Sequence, residues 1–154
     1  TGNESVAVDD KQIWTGTSGV RVRTFAADEG AIHDIDYCSE FLFDNNDYVC
    51  QLRLLNTSGS TSARVVFTLG HLSNSAAVTA TMEKFKWDPV IIRNTASADA
   101  NETSMTGRVT VQSLSGPAEW NIDALILSEG THPPSFVAPD DVRKSGQIYW
   151  EISD

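Results

Sequence analysis

An all-β fold is predicted: a two-sheet antiparallel β-sandwich of jelly-roll type with a short C-terminal extension. Short apolar runs alternate with polar residues at a period of two, Ser, Thr and Gly collect in the breaks between them, and no long stretch has helical period. The best helical attempt, Ala80 to Trp87, is too short and lies too close to β-branched residues.

Each element follows from its own pattern. In Val20-Arg21-Val22-Arg23-Thr24 the valines face one way and the arginines the other. Tyr48, Cys50, Leu52 and Leu54 share one face of a second strand. Arg64 to Leu69 and Pro89 to Arg93 are more continuously apolar, as expected of central sandwich strands. Arg108 to Gln112 and Trp120 to Ile126 alternate again, so Val109, Val111, Ile122, Ala124 and Ile126 are expected to enter one core. Thr15 to Gly19, Asn56 to Ser60 and Ser113 to Pro117 supply the turns, and roughly nine or ten strands result.

Composition shifts after Glu129-Gly130. Thr131-His132-Pro133-Pro134 cannot continue a ladder, because proline has no amide donor. The chain therefore divides into a sandwich domain over 1–130 and an extension over 131–154 with one strand-like piece, Gln147 to Ile152. Ile148, Tyr149, Trp150 and Ile152 are too apolar for a free tail. Phe136, Tyr149 and Trp150 are expected to bury against a second copy of the chain or a neighbouring subunit, as an assembly contact.

Charge narrows the partners. The 154 residues carry 11 Lys and Arg against 21 Asp and Glu, a formal net charge of −10. Such a surface repels phosphate backbones and anionic membranes, so neither nucleic acid nor membrane is an expected partner. No apolar run approaches the roughly 18 residues of a membrane span. The Thr1 start reads as that of a processed product or a piece of a longer chain. Cys38 and Cys50 form no metal pattern; two buried thiols are favoured over a bridge across the turn at Asp44 to Asp47.

Catalytic constellations are missing, and the chain is read as no enzyme. It has no G-x-S-x-G elbow, no H-E-x-x-H and no Gly-rich phosphate loop, and His33, His71 and His132 stand apart. Asp44-Asn45-Asn46-Asp47 begins like an EF-hand loop but has Val49 at the glycine position and Leu55 at the closing glutamate. The acids from Asp28 to Asp47 are read as a solvated face. Among the aromatics, Trp120 shares a face with Ile122 and belongs to the core. Trp87 fits core or rim, and Trp14 lies in a segment whose face is otherwise polar, with Asp10 and Gln12, and is expected to be exposed.

Val6 to Asp10, Trp14-Thr15-Gly16 and Gly19-Val20-Arg21-Val22 resemble the early strands of jelly-roll carbohydrate-binding modules attached to xylanases and related polysaccharidases. Tyr48 to Asn56, Ser58-Gly59-Ser60 and Arg64 to Thr68 are similar to their central hairpin, and Trp87, Gly107 to Val111 and Trp120 to Leu127 to their closing pattern. This resemblance implies carbohydrate as the partner. Trp14 is the first ring expected to stack on sugar, then Trp87, then Tyr37; Arg21 and Arg23, outward on their strand, suit the carboxylates of an acidic glycan. It also implies a structural calcium held by Asp123 of the closing strand with Glu4 from the first. The other reading of Asp123 is a hydrogen bond to a neighbouring loop.

A second phrase, Leu125 to Thr131 with Pro134 to Asp140, resembles the end of sandwich domains in bacteriophage tail-fibre and other virion proteins. Together the two resemblances imply a carbohydrate-binding module on a virion surface, in a fibre or a capsid decoration, assembled with itself (as a trimer, for example) or with other virion subunits. The alternatives are a purely structural virion protein and an extracellular module of a secreted polysaccharidase.

Overall fold

A computed structural model describes residues 5–9, 11, 13, 14, 19–35, 42–59, 62–71, 73–97, 106–114, 116–133 and 151–153. Within them lie β1 (Ser5–Asp9), β2 (Gly19–Thr24), β3 (Gly30–Ile35), β4 (Asp47–Gly59), β5 (Ser62–Gly70), β6 (Ser75–Thr81), β7 (Trp87–Thr95), β8 (Thr106–Ser113), β9 (Ala118–Glu129) and β10 (Glu151–Ser153). They form two five-stranded sheets, sheet A in the order β1-β2-β9-β4-β7 and sheet B in the order β10-β3-β8-β5-β6. Every strand pair is antiparallel. The expected sandwich is the fold observed.

The core lies between the sheets, built by the period-two faces. Sheet A contributes Val22, Tyr48, Cys50, Leu52, Leu54, Trp120 and Ile122; sheet B contributes Ala31, Val65, Phe67, Leu69, Val109 and Val111. Arg21 and Arg23 are exposed on the opposite face of β2, as its alternation requires.

Four local expectations change. First, Ile126 does not join Ile122 in the core, and Ala124, though buried as expected, is not part of the main cluster; Leu125 and Leu127 pack against it instead. A β-bulge lies between the Gln51↔Ile126 and Arg53↔Asp123 pairings, with Ala124 at φ +58°. One extra residue there reverses which side chains point inward. Second, β4 does not end at Asn56: it runs to Gly59, with a second register shift between Asn56 and Ser58. Third, β7 is an edge strand of sheet A, not a central one. That position tolerates Pro89, which has no amide to donate.

Fourth, residues 151–153 of the expected extension pair within the sandwich. Strand β10 pairs with β3, Ile152 opposite Ala31, and forms the edge of sheet B. Phe136, Tyr149 and Trp150, expected as the assembly contact, lie outside the described residues. Cys50 is a free, fully buried thiol, and Cys38 is outside the described residues.

Candidate functional site

The outer face of sheet A differs from that of sheet B. On sheet B the outward residues pair off: Arg64 meets Asp28 at 2.9 Å and Gln112 at 3.2 Å, and Arg108 holds Asp34. Sheet A instead presents two tryptophans, arginines and a partly apolar floor. Because Val90 and Ile92 enter the core, β7 turns Trp87, Pro89, Ile91 and Arg93 outward. Likewise β4 turns Gln51, Arg53 and Leu55 outward, next to Ile91, Pro89 and Trp87 respectively. Arg21, Asn121, Leu55 and Trp87 form one continuous row across four strands, with Asn121 and Leu55 at its centre buried and Arg21 exposed at its end.

The connection between β1 and β2 folds back over this face and delivers Trp14. Two carboxylates anchor it. Asp9 accepts from the Lys11 backbone amide at 2.8 Å through Oδ1 and from Asn121 Nδ2 at 3.1 Å through Oδ2. Asp9 lies opposite Gly19 on β2. Asp123 Oδ2 accepts from the Trp14 backbone amide at 2.8 Å. The Trp14 ring then meets Trp87 edge to face, with centroids 6.4 Å apart and planes at 64°. The Arg53 guanidinium lies 4.1 Å from the Trp14 ring centroid, a cation–π contact that fixes the indole. Trp14 remains 43% exposed and Trp87 is half-buried.

Five residues singled out in the sequence therefore have a common setting. Trp14 and Trp87 touch, and Arg21 is exposed on the same face. Arg23, also outward, is tied to Glu119 at 3.0 Å. Asp123 carries the hydrogen bond to the Trp14 loop, with its Oδ1 accepting from the Ala124 amide at 2.6 Å. Tyr37 and Glu4 lie outside the described residues. Among the described residues no group of three or more His, Cys, Asp or Glu side chains converges on a common point. The acids expected as one solvated face engage separately: Asp28 and Asp34 with arginines, Glu29 with the Phe25 and Ala26 amides, Asp47 with Thr95.

Sequence reasoning missed Arg53, Asn121 and Asp9. The period of two sets Arg53 outward beside Gln51, but only the antiparallel register shows that it lies under Trp14 and next to the β7 edge.

No family model matches the chain, and no curated protein is similar to it in sequence. Solved structures share its fold. A CBM22-2 xylan-binding domain from Paenibacillus barcinonensis Xyn10C superposes with a TM-score of 0.63 at 10% identity, over 84% of this chain and 89% of that one. The family 22 carbohydrate-binding module at the C-terminal end of Clostridium thermocellum Xyn10B, described for residues of its cleft in ligand binding, gives 0.56 at 18%, over 84% and 82%. An arabinose-bound α-L-arabinofuranosidase, MgGH51, gives 0.62 at 15%; this chain covers 86% of itself but spans only 23% of that enzyme. The likeness is one of fold: that of the jelly-roll carbohydrate-binding modules.

Proposed function

We propose that the chain is a non-catalytic module that binds a polysaccharide of the xylan type across the outer face of sheet A. The observation that carries this reading is the Trp14–Trp87 pair on a sheet face, fixed from beneath by Arg53 and from the side by Asp123. Sugar rings present C–H faces that pack on indole, and a ring already immobilised loses little entropy on binding. Ile91 and Ile126, half-buried on the same floor, add apolar contact. Arg21 and Gln51 are placed to hydrogen-bond hydroxyls, which sets the orientation of the chain. The xylan-binding domains that share the fold support the choice of ligand class.

An extracellular setting, as one module of a polysaccharide-degrading protein, agrees with this chemistry. Display on a virion rests on the 125–140 phrase alone, and none of the structures named above is a virion protein. The test is retention of the full chain on insoluble xylan, compared with the Trp14→Ala variant. Retention of the parent and loss in the variant support the assignment; an unretained parent overturns it.

A further inference from the structure

With a formal charge of −10, any cation without an acidic partner stands out in this protein. On the outer face of sheet A, Arg23 meets Glu119. Arg21, Arg53 and Arg93 meet no carboxylate among the described residues: Arg53 lies over Trp14, and Arg93 donates Nε to the Thr131 carbonyl. Asp123, the carboxylate next to Arg53 in register, directs Oδ1 and Oδ2 at the Ala124 and Trp14 amides.

Register aligns the three arginines. Arg21 shares a row with Asn121, Leu55 and Trp87, Arg53 lies two residues along β4 from that row, and Arg93 lies four further along β7. Strand spacing and rise then separate the Cα atoms of Arg21 and Arg53 by roughly 12 Å, and those of Arg53 and Arg93 by roughly 14 Å. The three make a diagonal across the face, passing beneath Trp14. In about 0.1 M salt, charges more than about 10 Å apart are largely screened, so a bound anion responds to these arginines more than to acids across the sandwich.

We propose that this face takes an acidic glycan, a sugar chain carrying uronate carboxylates, with Arg21 and Arg93 at either end of the tryptophan platform as carboxylate partners. Guanidinium offers a planar fork of donors that fits a carboxylate. The proposal rests on the carbohydrate reading above and narrows its ligand.

The experiment is calorimetric titration of the full chain with unbranched xylohexaose and with a xylo-oligosaccharide bearing one glucuronate branch. In about 0.1 M NaCl the acidic ligand is expected to bind about fivefold tighter or more, and in about 1 M NaCl the two ligands become equal. Arg21→Gln moves the acidic-to-neutral ratio toward one, whereas Arg64→Gln, on sheet B, leaves it unchanged. Equal affinities at both salt concentrations overturn the acidic preference and leave the carbohydrate reading standing. If neither oligosaccharide binds, the xylan reading fails, and polygalacturonate decides the rest: salt-sensitive binding supports the anion-binding face, and no binding overturns it.

Discussion

Trp14 is held by three neighbours of different kinds: an amide–carboxylate hydrogen bond, an edge-to-face ring and a cation. Ring pairs and exposed cation–π contacts are each worth about 1 kcal/mol. Trp14→Ala is therefore expected to cost only about 1–2 kcal/mol in chemical denaturation while weakening glycan binding roughly tenfold or more. A collapse of stability would make the ring structural. Cys50 illustrates the opposite extreme. Burial pushes its thiol up to about 12, so in the folded protein it stays protonated at neutral pH. The unfolded chain loses that proton near pH 8.5–9, and between there and about pH 12 the folded state binds the extra proton. Stability is unaffected below that window and falls as pH rises through it, by up to about 1.4 kcal/mol per pH unit. Denaturation series at pH 7, 9 and 10.5 in reductant (values chosen to bracket the onset at about pH 9) should show a steeper alkaline loss in the parent than in Cys50→Ala.

Among the elements, β9 decides most. Its first half places Trp120 and Ile122 in the core, its second half packs Leu125 and Leu127 against that core, and the bulge at Asp123–Ala124 reconciles the two. The same bulge leaves Asp123 on the outer face, where it can hold Trp14. Ala124→Gly removes a side chain from a left-handed conformation and is expected to raise stability by up to about 1 kcal/mol. Deleting Ala124 removes the extra residue and leaves Ile122, Leu125 and Leu127 on the inward face, so denaturation is expected to show a change of no more than about 1 kcal/mol. Much of the sheet structure was legible in the sequence: the inward valines of β2, the Tyr48-to-Leu54 face and Val109 with Val111 follow from alternation alone. The bulge was not, because Asp123-Ala124 contains no glycine to mark it and Ile126 keeps the period intact. Pro89 did signal the edge position of β7, but the apolar run around it reads equally as a buried strand. Trp14 and Trp87 were legible as candidate rings. Their contact, and the place of Arg53 beneath it, depends on a loop closing over a sheet from 109 residues away, which no local pattern reports.

At the scale of the molecule, the sandwich separates two surfaces. Sheet B presents neutralised ion pairs to solvent, and sheet A presents tethered aromatics with arginines left over. Because the tryptophans and their supports all lie on sheet A, affinity is expected to change little when residues of sheet B are altered. Arg108→Gln, which breaks the Arg108–Asp34 pair, should shift glycan affinity by less than about twofold and stability by about 1 kcal/mol or less. The most direct test of the binding face is to follow the indole N–H resonances of the protein by NMR while xylohexaose is added. Signals can be assigned by single Trp→Phe variants. The Trp14 and Trp87 resonances should move together and saturate, while that of Trp120, fully buried between the sheets, stays in place. Binding that leaves Trp14 and Trp87 unmoved, or no binding to any resonance, would contradict the assignment of this face.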